Sequence, residues 1–135
     1  MIQRIQTLLL FLVLPVNAGF YFTPMFTHAM QDPSGWLSNG LIAALFFSAA
    51  LSVYAIFLYH DRSRQIHWVW RALLFQMIAI GAIVAVFFTA GRLGSHLLPE
   101  ALALLLPLLA VVLQYLAVVF IRKDEDLVRS MDRIR

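Results

Sequence analysis

The chain has 135 residues, of which 62% are hydrophobic and only 13% charged, with a formal net charge of +3 and no cysteine. So apolar a composition leaves no room for a separate soluble domain, and the missing cysteines exclude disulfides, thiolate nucleophiles and Cys-ligated zinc or iron–sulfur centres. The positive balance does not point to nucleic acid, because the basic residues sit at the ends of apolar runs, where they act as topology signals.

Four stretches, 5–26, 41–59, 72–90 and 101–121, contain no acidic or basic side chain. Each approaches the roughly 20 apolar residues needed to cross a hydrocarbon core of about 30 Å. The expected fold is an all-α membrane protein, a four-transmembrane-helix antiparallel bundle forming one domain over 1–135, with a cytoplasmic extension of the last helix over 122–135.

Arg4 precedes the first span. The run 8–14 followed by Val16-Asn17-Ala18 has the outline of a cleaved signal peptide, but apolar character continues through Gly19-Phe20-Tyr21-Phe22, so an uncleaved first helix is expected. Pro15 removes a backbone donor and frees the Phe11 carbonyl, which favours a kink. Asn17 follows at near mid-depth and is the best candidate for a polar cavity.

Asp32-Pro33-Ser34-Gly35 reads as a tight turn into the second span. That span places Gly40, Ala44, Ser48 and Ser52 at steps of four, and the third places Gly81, Ala85 and Thr89 likewise. Small residues let helix backbones approach closely in lipid, so these two stripes are expected to meet. Gly91 and Gly94 suit a helix stop, and Pro99 with Glu100 suits the start of the fourth span, with Arg92 and Glu100 able to pair on the surface. In that span Ala103, Ala110 and Ala117 repeat at seven, with Pro107 and Gln114 on the same face, as in a bundle seam. Gln76 and Gln114 lie about 8–12 Å inside the same membrane edge, counted at 1.5 Å per residue, and serve best as interhelical hydrogen-bonding groups.

Arg4, Arg62, Arg64, Arg71 and the five cations of residues 122–135 fall on one side, and Arg92 alone on the other. That asymmetry places both termini in the cytoplasm, with Tyr21 and Trp36 at the outer interface and Tyr59, Trp68 and Trp70 at the inner one. In the tail, Glu125 and Arg129 stand at i,i+4, while Leu127, Met131 and Ile134 share one helical stripe. Arg4 can pair with Asp124, Glu125 or Asp126 if the first and last helices are neighbours, clamping the tail for a cytoplasmic partner.

No carboxylate, His or basic group lies within the spans, which argues against a proton-coupled pump. His28 with His96, and His60 with His67, make two level pairs that would suit haem only if they faced one another inside a bundle; at helix ends, interfacial histidines are ordinary. No catalytic or phosphate-cradling motif is present. No enzyme activity, cofactor or nucleic-acid partner is therefore expected.

The two ends, Met1-Ile2-Gln3-Arg4-Ile5-Gln6-Thr7 and Lys123-Asp124-Glu125-Asp126-Leu127-Val128-Arg129-Ser130-Met131-Asp132-Arg133-Ile134-Arg135, resemble the signature ends of a bacterial family, domain of unknown function 4293. The resemblance implies a small four-span membrane protein with an uncleaved first helix, and implies no activity. The leading expectation is an accessory or scaffold subunit of the bacterial inner membrane that works through protein partners or self-association. The alternatives are a small permeation or ligand-binding module using Asn17, Gln76 and Gln114, and a haem-binding anchor.

Overall fold

Backbone polar groups in an apolar solvent must be satisfied within the chain, and every long apolar run here does so as a helix. The computed structural model describes residues 2–31, 35–89 and 97–132, apart from the side chains of residues 2–4, 89, 97, 100 and 132. Five helices follow in order, α1 (Ile2–Phe20), α2 (Pro24–Met30), α3 (Trp36–Phe57), α4 (Arg62–Thr89) and α5 (Leu97–Asp132), with no strand among the described residues. Three of them, α3, α4 and α5, are long and apolar enough to cross a membrane, and α1 with α2 makes a fourth if the bent pair is one crossing. Asp32, Pro33, Ser34, Gly91, Arg92, Gly94, His96, Arg133, Ile134 and Arg135 lie outside the described residues, as do the side chains of Arg4, Thr89 and Glu100. Gly35, the last residue of the expected turn, adopts a left-handed φ of 62° that suits glycine.

The helices depart from the expected spans in two ways. Residues 5–26 do not form one straight helix; α1 ends at Phe20, and α2 leaves it at 64°. Thr23-Pro24 causes the break. Proline confines the preceding residue to extended backbone, and Thr23 has φ −88° and ψ 151°. Its hydroxyl accepts from the Phe26 N–H at 3.4 Å and donates to the Phe20 carbonyl at 2.7 Å, capping the new helix while holding the end of the old one. Pro15 and Pro107, by contrast, each lie within an unbroken helix. The second departure is length, since α4 begins at Arg62, ten residues before the expected 72. Asp61 caps it, accepting from the Arg64 N–H at 3.1 Å.

The four long helices pack in a ring in which α1 neighbours α5 and α3, and α4 neighbours α3 and α5. One apolar cluster gathers Phe20, Leu41, Leu45, Ile83 and Ala103 with Met25 and Ala29 of α2. A second gathers Leu10, Ala55, Val69, Ala117, Val118 and Ile121. From the second cluster to the first the residue numbers rise in α1 and α4 and fall in α3 and α5, so each helix is antiparallel to both neighbours. The second cluster lies at the basic end of the ring, and α2 folds over the far end against α3, α4 and α5.

Buried positions recur in alternating steps of four and three. On α4 they are Gln65, Val69, Ala72, Gln76, Ala79, Ile83 and Val86, and on α5 they are Ala103, Pro107, Ala110, Gln114, Ala117 and Ile121. Such steps mark a knobs-into-holes seam, and its many Ala and Ser residues bring the backbones close. The two small-residue stripes do not meet along their whole length. Ala44, Ser48 and Ser52 are buried, but Gly40 and Gly81 are exposed, with open space where a Cβ would stand. A strict step of four drifts around the helix away from a seam that advances by three and four in turn.

Candidate functional site

The most distinctive chemistry in the molecule is a layer of polar side chains between the two apolar clusters. Asn17 from α1, Ser48 and Ser52 from α3, Gln76 from α4 and Gln114 from α5 are all buried seam residues at the middle of the ring. Gln76 is its hub. Its Oε1 accepts from Asn17 Nδ2 at 3.1 Å and from Ser48 Oγ at 2.6 Å, while its Nε2 donates to Asn17 Oδ1 at 3.2 Å and to the Pro107 carbonyl at 3.4 Å. A primary amide offers two donors and two acceptor sites, and all four are occupied.

Gln114 completes the layer from the other side. Its Nε2 donates to Ser48 Oγ at 2.9 Å and to Ser52 Oγ at 3.0 Å, and Ser52 Oγ donates to the Ser48 carbonyl at 2.8 Å. Both hydroxyl protons are already committed, to Gln76 Oε1 and to the Ser48 carbonyl, so each serine receives the Gln114 amide as an acceptor. Gln114 Oε1 is buried and has no hydrogen-bond partner. The layer spans both diagonals of the ring, α1 to α4 through Asn17 and Gln76, and α3 to α5 through the serines and Gln114.

All three amides singled out from the sequence thus meet in one network. Gln76 and Gln114 do not bond one another; Ser48 stands between them and bonds both. In the sequence Ser48 and Ser52 stand out only as small packing residues, whereas in the structure their hydroxyls are the links. The sequence carried a further signal in the spacing of its amides, since Gln6 and Asn17, and Gln65 and Gln76, are each eleven residues apart, three helical turns along one seam. Gln6 and Gln65 are both buried toward the basic end, and Gln6 Nε2 has no hydrogen-bond partner.

At that end Arg62 Nε donates to Asp124 Oδ2 at 2.8 Å, tying the start of α4 to the extension of α5. Arg62 therefore holds one of the three acids that the sequence offered to Arg4, whose side chain lies outside the described residues. Glu125 and Arg129 pair at 3.1 Å one turn apart, and Asp126 is exposed. Leu127 and Met131 are 50% and 63% exposed. Trp68 is flanked at the same end by the Tyr54 ring at 5.0 Å and the Arg71 guanidinium at 4.4 Å. Among the described residues, no three His, Asp or Glu side chains gather as a metal site. His60 and His67 are exposed, and His96 lies outside the described residues.

Neither the curated proteins nor the solved structures yield a match to this chain. The family model described as Domain of unknown function (DUF4293) matches residues 2–134, which takes in α1 through α5 and every residue of the polar layer. A match over so nearly the whole length makes the chain a member of that family.

Proposed function

We propose that this protein is a non-enzymatic accessory or scaffold subunit of the bacterial inner membrane, working through protein partners or self-association. In this reading it crosses the membrane four times, α1 and α2 forming one bent crossing, with both termini in the cytoplasm. The observation that supports it is the saturation of Gln76 at the hub of the polar layer. A permeation path or solute site needs polar groups turned toward water or cargo, whereas Gln76 spends all four of its hydrogen-bonding positions on other helices. Such a layer ties the ring together. The charged extension of α5, with Leu127 and Met131 exposed, is then the part available to other proteins.

A permeation or ligand-binding module built on Asn17, Gln76 and Gln114 has less support, because the three amides face one another and the intervening serines. The basic end agrees with a cytoplasmic location on charge grounds. Two measurements test the proposal. Single cysteines replacing Ser34 or Ser95 are expected to react with an impermeant thiol reagent in intact cells, while those replacing Ser63 or Ser130 react only after lysis; the reverse pattern overturns the orientation. In-cell crosslinking from Leu127 and Met131 is expected to capture a discrete protein species, and recovery of uncrosslinked protein alone overturns the scaffold role.

A further inference from the structure

α1 and α3 are the loosest pair of neighbours in the ring, and an elongated groove opens between them. Its larger part, about 710 Å³, has walls formed by Leu8, Phe11 and Leu14 of α1 and Val53, Ile56 and Phe57 of α3. At the basic end this part finishes in a polar mouth lined by Gln6, Arg62, Gln65 and Asp124. Leu14 and Val53 also line a second part of about 480 Å³ that carries the groove on past Asn17. From Gln6 to Asn17 the helix rises about 16 Å, close to one leaflet's half of a hydrocarbon core of about 30 Å.

The mouth is built for an oxygen-rich head. Gln6 is 4% exposed and lines the groove, and its Nε2 is one of two buried side-chain polar atoms without a hydrogen-bond partner among the described residues. A buried donor left unpaired is costly, and Gln6, which lines the groove, satisfies it by a change of side-chain rotamer that turns the amide to a lipid phosphate or ester oxygen. Arg62 and Asp124 place one positive and one negative group side by side at the same opening. That pairing complements a head carrying both charges, with phosphate oxygens toward the guanidinium and an ammonium toward the carboxylate, better than it does a purely anionic head.

We propose that the groove between α1 and α3 holds one zwitterionic phospholipid of the leaflet at the basic end, an acyl chain lying along Leu14 and Val53 and its head at Gln6, Arg62 and Asp124. The inference rests on the reading that the chain spans a membrane. The occupant enters sideways from the bilayer, so no aqueous path is required, and it fills the weakest seam of the ring.

The test uses the full chain in vesicles of phosphatidylethanolamine and phosphatidylglycerol, doped in turn with a photoactivatable acyl-chain probe bearing either head. Labelling of Phe11, Leu14 and Val53 by the ethanolamine probe is expected to exceed, several-fold, that of Val112 and Leu116, which face outward on α5. The glycerol probe is expected to show no such excess. Val53→Trp narrows the groove and abolishes the excess while leaving labelling of Val112 and Leu116 unchanged. Gln6→Leu removes the unpaired donor, so thermal stability in detergent is maintained or raised while ethanolamine-lipid retention, read by native mass spectrometry, falls about fivefold, the effect of one hydrogen bond. Uniform labelling around the ring, equal labelling by both probes, or unchanged retention in Gln6→Leu overturns the proposal. Alkaline carbonate extraction separates the two readings. Release into the soluble fraction defeats the membrane reading itself, whereas a carbonate-resistant protein with uniform labelling defeats the lipid site alone.

Discussion

Asn17 and Gln76 exchange two reciprocal hydrogen bonds, at 3.1 and 3.2 Å, across a diagonal of the helix ring. The pair joins two helices that are not packed neighbours, through the one residue of the layer whose donors and acceptors are all in use. Interhelical hydrogen bonds within a membrane average only about 0.6 kcal/mol each, but an amide left alone in that interior also bears its desolvation cost.

Gln76→Leu is therefore expected to destabilise the protein by about 1–3 kcal/mol, more than Gln114→Leu, because it strands Asn17 as well as a Ser48 hydroxyl. Pairing Gln76→Leu with Asn17→Leu removes both halves of the reciprocal pair, so the double change costs less than the sum of the singles. Thermal unfolding in detergent of the four variants of this cycle measures the coupling, and strict additivity would mean the two amides do not interact.

Ser48 is the link between the amides, and Ser48→Ala removes a donor to Gln76 and an acceptor for Gln114 at one atom. Ser52→Ala leaves Gln114 a second serine to bond. The expected order of stability is wild type, Ser52→Ala, Ser48→Ala, with the last lower by about 1–2 kcal/mol. Equal losses in the same melting assay would show that Ser48 has no special position.

The exposed glycines give the opposite expectation. Gly81→Ala adds a methyl into open space and reduces the freedom of the unfolded chain, so stability rises or holds, by up to about 1 kcal/mol. Ala79→Leu or Ala110→Leu, by contrast, forces extra bulk into closed seam positions and costs about 1–3 kcal/mol. A larger loss from Gly81→Ala than from Ala79→Leu would return the small-residue stripe to the interface.

Arg62 and Asp124, half-buried at 26% and 16% side-chain exposure, fasten the α5 extension to α4. Arg62→Asp alone sets two acids together and is expected to raise protease cleavage between Arg122 and Arg129. Adding Asp124→Arg restores opposite charges and is expected to recover much of the protection. The pair itself is worth on the order of 1 kcal/mol, so the readout is local cleavage rather than global melting.

Thr23→Ala removes the cap of α2 and costs about 1 kcal/mol of local stability, seen as faster hydrogen exchange over 24–30. Exchange unchanged from wild type would mean the bend is held by packing of Met25 and Ala29 rather than by the cap.

The sequence was most informative where polar groups interrupt apolar runs. Gln114, with Ala103, Pro107, Ala110 and Ala117, marked the α5 seam correctly because a heptad of small and polar residues is legible against leucine. On α4 the same seam passes through Val69, Ala72, Ala79, Ile83 and Val86, and the outward side is largely apolar too, so composition alone does not separate the faces. In water the polar face of a helix advertises the buried one; in lipid that contrast vanishes. The bend at Thr23-Pro24 was written locally, as a cap followed by proline, and was obscured by a hydropathy that runs unbroken through it. The Arg62–Asp124 contact joins residues 62 positions apart and depends on how far α4 and α5 extend past their apolar segments, which hydropathy does not report.

The polar layer also has an axial meaning. Leu, Val and Ala side chains interlock almost equally well if one helix slides along its neighbour by a turn, about 5.4 Å, since one apolar ridge replaces another. Hydrogen bonds between Asn17, Ser48, Gln76 and Gln114 do not survive such a slide, because every amide would then face hydrocarbon. A set of four side chains therefore works as a notch in an otherwise smooth track, fixing the height at which each helix stops relative to the others. The ends of α4 and α5 are brought level by that stop, and with them Arg62 and Asp124.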